Sequence, residues 1–200
     1  VVNLAGFLAR STVNGPGTRA VIWVQGCPLR CSGCFNPEFQ SFSGLDFVTV
    51  DEVFERILAA RPVDGVTFSG GEPFAQAAAL AALGERLRET GLLILTFTGF
   101  SYKEILEKNR RSWQQLLAVT DLLIAGPYVP AFRCSDDSLI ASSNQTIADL
   151  TGQIPVPGRS LPRRMGKLVE FTIRPDGRIL VSGFPDSGLV RNLASRCGGG

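Results

Sequence analysis

Histidine is absent from all 200 residues. That one absence removes His-based zinc sites, Ser–His and Cys–His nucleophile pairs, and imidazole acid–base catalysis together. Long apolar runs are missing as well. Even Leu116 to Ile124 is interrupted by Thr120 and Asp121, so the sequence offers no membrane span. Val1 to Arg10 lacks a basic start ahead of a long apolar stretch; no signal peptide is read, and a cytoplasmic location is expected. Charge of one sign is also missing, with 20 Lys and Arg against 18 Asp and Glu. No basic patch is interleaved with aromatics, so no nucleic-acid partner is expected. Five cysteines are an odd number. Three of them crowd together, which argues against a disulfide scaffold.

What is present is concentrated in Cys27-Pro28-Leu29-Arg30-Cys31-Ser32-Gly33-Cys34, spaced C-x3-C-x2-C. The loop follows an apolar run, Ala20 to Val24, and a turn at Gln25-Gly26. Thiolates gathered at a strand end make a site for soft metal.

The rest of the chain reads as alternating strands and helices. Asn14-Gly15-Pro16-Gly17-Thr18-Arg19 is a rigid turn, and residues 20–24 read as a buried strand. Asn36-Pro37 closes the cysteine loop. Thr49 to Glu52 is a capping-box pattern that opens a helix near 50–60. Gly65 to Ser69 is a second strand running into Gly70-Gly71-Glu72-Pro73. A helix is expected over Ala75 to Thr90, stopped at Gly91. Leu92 to Thr98 is a third strand. A second capping box at Ser101 to Glu104 starts a helix reaching Leu117, with a break near Asn109. Asp121 to Ala125 is a fourth strand. Four β-then-α units favour a parallel sheet with chemistry at the C-terminal strand ends. Gly152 to Lys167 reads as a loop or linker. Val169 to Ile173 and Arg178 to Ser182 read as a β-hairpin about Pro175-Asp176-Gly177. The expected organisation is a core over 1–150 and an extension over 151–200, with a disordered Gly198-Gly199-Gly200 end.

Read from its residues alone, the cysteine loop has three explanations. One is structural zinc, which wants four protein ligands where only three are local and no histidine exists. A second is three buried cysteines acting as small apolar residues, an odd use of a loop rich in Pro and Gly. The third is an iron–sulfur cluster held by three thiolates with one iron left open. A cluster used only for electron transfer normally takes four cysteines at other spacings.

The ordered set of short motifs resembles the radical S-adenosylmethionine (SAM) superfamily. C-x3-C-x2-C is similar to its cluster motif, and Gly70-Gly71-Glu72-Pro73 to its GGEP segment. Asn14 to Arg19 with Gln25-Gly26-Cys27 resembles the start of glycyl-radical-enzyme activases, in particular those of anaerobic (class III) ribonucleotide reductase. Cys34-Phe35-Asn36-Pro37, Thr98-Gly99-Phe100, Gly126-Pro127-Tyr128 and Ser142-Ser143-Asn144-Gln145 extend the match over about residues 10–147.

This resemblance implies an α/β fold of the partial (β/α) barrel type, here with a C-terminal β-hairpin extension. It implies a [4Fe-4S] cluster on Cys27, Cys31 and Cys34. SAM would lie beside Gly33, Phe35, Gly70, Gly71, Glu72, Pro73 and Thr98, and would be cleaved to a hydrogen-abstracting 5′-deoxyadenosyl radical. No catalytic side chain is expected beyond the cluster and SAM. The implied partners are a larger glycyl-radical enzyme as substrate and a reduced flavodoxin or ferredoxin as electron donor.

Two positions depart from the reductase activases. Ala125 precedes Gly126 where Asp is usual, and Ala141 precedes Ser142 where Gly is usual. The tail after about 150 has no counterpart in them. It is read as a hairpin covering a sheet edge or as a docking element carrying Arg159, Arg163, Arg164 and Lys167. Cys134 reads as a lone, partly buried thiol. Ser195-Arg196-Cys197-Gly198 is only faintly similar to the Arg-x-Cys-Gly surroundings of a glycyl-radical site. Two rival functions stand beside the activase: a radical SAM enzyme acting on a peptide or small molecule, and a non-enzymatic iron–sulfur or zinc module.

Overall fold

The computed structural model describes residues 1–43, 46–134, 139–156, 158, 168–173, 177, 179–185, 188 and 192. Arg159, Arg163, Arg164, Lys167, the turn residues Pro175 and Asp176, Cys197 and the Gly198 to Gly200 end lie outside them.

Hydrophobic strands dictate the centre. β1 (Val2–Ser11), β2 (Arg19–Val24), β3 (Phe47–Val48), β4 (Gly65–Gly70), β5 (Leu93–Thr98), β6 (Leu122–Ala125) and β7 (Thr146–Asp149) form one seven-stranded sheet, ordered β3-β1-β2-β4-β5-β6-β7. The pairs β2–β4, β4–β5 and β5–β6 are parallel; β1–β2, β1–β3 and β6–β7 are antiparallel. The four parallel strands are those the apolar runs predict, and the antiparallel strands flanking them are additional. The same runs predict four β-then-α units. The fourth strand, β6, is followed instead by a loop and the antiparallel β7.

Helices fill the three parallel crossovers. α1 (Val50–Ala59) starts with the expected capping box, Thr49 accepting from the Glu52 amide while the Glu52 carboxylate accepts from the Thr49 amide. α2 (Ala77–Glu89) begins after a short 3-10 turn over Pro73–Gln76. The third crossover carries two helices, α3 (Tyr102–Lys108) and α4 (Arg111–Val119), broken at Asn109 in the left-handed conformation, φ 41°. Asn tolerates that region better than most residues with a Cβ.

Strand periodicity sorts side chains to two faces. Ala20, Ile22 and Val24 of β2 pack with Leu80, Leu83 and Leu87 of α2. Val21 and Trp23 point the other way, against Leu8. On β5 and β6 the second face gathers Leu95, Leu122 and Ile124 with Leu139, Ile154 and Val156. The expected loop or linker thus packs on the core over its first part, where Ile154 and Val156 are only 3% and 2% exposed. Burying each is worth about 1.5–3 kcal/mol.

β8 (Val169–Ile173) and β9 (Ile179–Gly183) pair antiparallel as expected, but as a separate two-stranded sheet. The hairpin adds to neither edge of the large sheet. Its Leu180 packs on Leu8, Val21 and Trp23, the face opposite the helices. Among the described residues no helix is long and apolar enough to cross a membrane.

Candidate functional site

The cysteine loop leaves the end of β2 and is pinned where it returns. The Gly26 amide donates to Phe39 O at 2.8 Å and the Cys27 amide to Gln40 O at 3.0 Å. The Gln25 side chain donates to Glu38 O at 3.2 Å and Ser41 O at 2.6 Å. Pro37 opens the 3-10 turn Pro37–Phe39 that carries the chain back, as Asn36-Pro37 suggested. Inside, the Cys34 amide donates to Cys31 O at 3.3 Å, and all three cysteines stay free and partly exposed.

The end of β4 locks onto this loop. The Gly71 amide donates to Val24 O at 2.7 Å and the Glu72 amide to Gly26 O at 2.9 Å. A Cβ on Gly71 would strike Gly26 O and sit 2.7 Å from Phe39 O. Gly70 has φ +104°, and its Cβ would collide with the backbone of Trp23 and Val24. Only glycines let this turn approach the cysteine loop so closely.

Glu72 is buried and turned inward. Its carboxylate accepts from the Phe74 amide (2.8 Å), the Thr98 hydroxyl (2.8 Å) and the Gly99 amide (2.9 Å). Burial pushes its carboxyl up to about 7, against the pull of those three bonds. The Cys27 thiol is likewise pushed up, chiefly by burial. Thr98 Oγ1 also accepts from the Phe100 amide at 3.1 Å, so its hydroxyl is engaged on both sides.

Beyond β6, the Ser142–Gln145 stretch knits the following loop to itself. Gln145 accepts from the Ala141 amide at 2.7 Å and donates to Gly126 O at 2.8 Å. Asn144 donates to Pro127 O at 2.8 Å, and Ser142 accepts from the Val129 amide at 3.2 Å. These polar residues hold Gly126 to Val129 in place, and of them Gln145 reaches the cavity.

One cavity at the C-terminal ends of the parallel strands is lined by Cys27, Cys31, Cys34, Phe35, Gly70, Gly71, Glu72, Pro73 and Thr98. Gly33 is not brought into it; it is exposed, with Pro130 and Tyr128 beside its Cα. The sequence reading missed Asn14, Trp23, Ser69 and Phe97 as lining residues. Trp23, Ser69 and Phe97 each lie one residue before a strand's last position, on the face away from the helices, which period-two alternation could have flagged. It also missed the hairpin, whose Leu180 to Pro185 form a further wall.

Three thiols on one loop are a donor set that suits soft metal, iron–sulfur clusters included. Among the described residues no three His, Cys, Asp or Glu side chains are gathered to hold a single metal ion. The three thiols instead stand along the wall of one cavity, beside backbone amides and an apolar lining. Among the described residues, Cys27, Cys31 and Cys34 are the cysteines that line it.

Residues 13–148 match the 4Fe-4S single cluster domain family. Over 119 residues the chain is 37% identical to the pyruvate formate-lyase-activating enzymes of Staphylococcus aureus strains USA300, NCTC 8325 / PS 47 and N315. The aligned region covers 56% of this chain and 47% of each relative, so the chain spans about half the length of the curated relatives it matches.

Proposed function

We propose, for a chain that belongs to the 4Fe-4S single cluster domain family, that it is a radical SAM enzyme of the glycyl-radical-activase type. The observation that carries this reading is the meeting of Cys27, Cys31 and Cys34 with the Gly70–Pro73 turn in one cavity. The likeness to pyruvate formate-lyase-activating enzymes supports a glycine of a partner enzyme as the hydrogen donor. Which glycyl-radical enzyme that is, and whether a reduced flavodoxin or ferredoxin feeds the electron, belong to the same proposal. So do the partial-barrel reading of the sheet, a division at about residue 150 after which Ile154 and Val156 still pack on the core, and a cytoplasmic location.

In this reading Cys27, Cys31 and Cys34 hold a [4Fe-4S] cluster. Bound there in its reduced form, it would supply the one electron for cleavage of SAM to methionine and a hydrogen-abstracting 5′-deoxyadenosyl radical. The chain's own residues bind, orient and exclude water. Gly70 and Gly71 offer backbone to the amino acid end of SAM, with Pro73 fixing the turn and Phe35 giving an apolar contact. Glu72 and Thr98 act by holding the ends of β4 and β5 in register. Gly33 contributes by shaping the loop between Cys31 and Cys34.

Anaerobic reconstitution followed by reduction with dithionite in the presence of SAM tests this. Four irons per chain and release of 5′-deoxyadenosine are expected, both lost in Cys31→Ala. One zinc per chain, or a cluster that never cleaves SAM, would sink the proposal. A second reading, a radical SAM enzyme closing over a peptide or small molecule, draws support from the wall that Leu180 to Pro185 add to the cavity.

A further inference from the structure

The cysteine cavity contains a glycine of the chain itself. Ser182, Gly183 and Phe184, at the end of β9, line it together with the three thiols. Ser182 is buried and accepts a hydrogen bond from Asn14 Nδ2 at 3.1 Å. Gly183 has φ +95°, and a Cβ there would strike Leu168 O and sit 3.3 Å from Val13 Cγ2, so no larger residue fits. Phe184 packs edge-on against Phe35, the residue after Cys34, with ring centroids 5.3 Å apart. Phe35 in turn lies 4.9 Å from Tyr128. Arg133 sits over the Phe35 ring at 5.1 Å and donates to Pro185 O at 3.1 Å.

These contacts form a seat. An aromatic side chain drops beside Phe35 and Tyr128, Arg133 takes the carbonyl of the next residue, and the preceding glycine is left in the cavity. The seat is filled from within by a hairpin that shares no ladder with the main sheet. Ser182 and Gly183 pair with Glu170 and Val169 within the hairpin, so a competitor need displace only the hairpin's side-chain contacts with the rest of the chain, of which the Arg133–Pro185 bond is exposed.

We propose that Ser182-Gly183-Phe184 is a pseudosubstrate. It occupies in cis the place that an extended segment of a protein substrate, a glycine followed by an aromatic residue, takes in trans. The proposal rests on the activase reading for the identity of the substrate glycine. It adds the in-cis competitor and the seat for the flanking ring. Apparent affinity for the incoming segment is then the intrinsic affinity reduced by the fraction of chains with the seat open.

The test is binding, independent of SAM cleavage, so failure of the radical chemistry and failure of this proposal are separable. A fluorescein-labelled peptide copying residues 179–185 is titrated into the cluster-reconstituted full chain and into its Phe184→Ala variant. Weakening the internal competitor should tighten peptide binding by about tenfold. On the unaltered chain, saturating peptide should speed hydrogen exchange at the Ser182 and Gly183 amides. Slow exchange at Phe171 in the Phe184→Ala chain would show the hairpin still formed. Adding Phe35→Leu to Phe184→Ala should remove the peptide's binding. Equal affinity for both chains, no binding to either, or binding that survives Phe35→Leu would overturn the proposal. The hairpin would then be a permanent wall of an enclosed site.

Discussion

Thr98 donates to the carboxylate of Glu72 at 2.8 Å, across the C-terminal ends of neighbouring parallel strands. The same carboxylate holds the Gly99 amide at 2.9 Å, and Leu29 of the cysteine loop rests against Gly99. Glu72 thereby ties β4 to β5 and, through Gly99, supports the loop between Cys27 and Cys31.

This placement sets a pH dependence. Burial raises the Glu72 carboxyl in the folded chain from 4.5 to about 7. A carboxyl raised on folding favours the fold while protonated and opposes it once ionised. Its contribution is therefore most favourable below about pH 4.5 and is lost as pH rises towards 7. The loss is on the order of 3 kcal/mol. Urea unfolding of the cluster-free chain at about pH 5 and about pH 8 should show this fall, and Glu72→Gln should flatten it. The amide side chain has one acceptor oxygen in place of two, so the substitution also leaves the Gly99 or Phe74 amide unpaired, costing about 1–3 kcal/mol at the lower pH. An unchanged pH slope in Glu72→Gln would assign the dependence to another group.

Arg19 closes the opposite end of the sheet and makes a second prediction. Its side chain is buried and donates to Thr67 Oγ1 (2.9 Å), Val66 O (2.8 Å) and Leu93 O (2.7 Å). Burial lowers its pKa to about 10, with Asp121 and Asp64 opposing the shift. Arg19→Leu removes the donors from buried acceptors and should destabilise the chain by roughly 3 kcal/mol or more. Lys has one point charge in place of a fork of donors, so Arg19→Lys should recover only part. Thermal melts of the three chains measure this; equal melting temperatures would contradict it.

Much of this was legible in the sequence. The four parallel strands announced themselves as short apolar runs, and the capping residues Thr49 and Ser101 gave helix starts within a residue. Glycine and cysteine marked the site because few residues substitute for them there. β1 was hidden because Val2 to Ser11 mixes glycine and polar residues with its apolar ones. β7 has only four residues, half of them exposed. The hairpin's role was hidden for another reason. Its pattern reveals two strands, but nothing in it says which face of a distant sheet they cover.

Ile154 and Val156 lie in the stretch whose prolines and glycines suggested a linker, yet they pack with Leu95, Leu122 and Ile124. Ile154→Ala should cost about 2–5 kcal/mol if that face is a packed core. In a mobile linker the same change would move stability by less than about 0.5 kcal/mol. The midpoint of denaturant unfolding decides between them.

Asn109 separates α3 from α4 with φ 41°. Alanine there would incur the left-handed penalty of about 1–2 kcal/mol. Glycine avoids that penalty, so Asn109→Gly should be close to neutral or slightly stabilising. Equal loss in the two variants would mean that the Asn109 side chain, rather than its backbone, matters.

Gly71 gives the sharpest test of the site's architecture. Its amide bonds Val24 O, and its Cα leaves no room for a side chain beside Gly26 O and Phe39 O. Those two carbonyls belong to the start and the return of the cysteine loop. A methyl group at residue 71 must therefore push the loop off the end of β4 rather than displace a flexible side chain. The atoms nearest that methyl belong to the cysteine loop, outside the α-helices and beyond the ends of β2 and β4, so the fold should survive. Gly71→Ala should keep its far-ultraviolet circular dichroism and lose most of the iron taken up on anaerobic reconstitution. Gly152→Ala, strained by its φ of +72° but with nothing within 4 Å of a Cβ, serves as the control for a destabilising glycine replacement away from the site. If Gly71→Ala binds iron as fully as the unaltered chain, contact between the turn and the loop does not organise the three thiols.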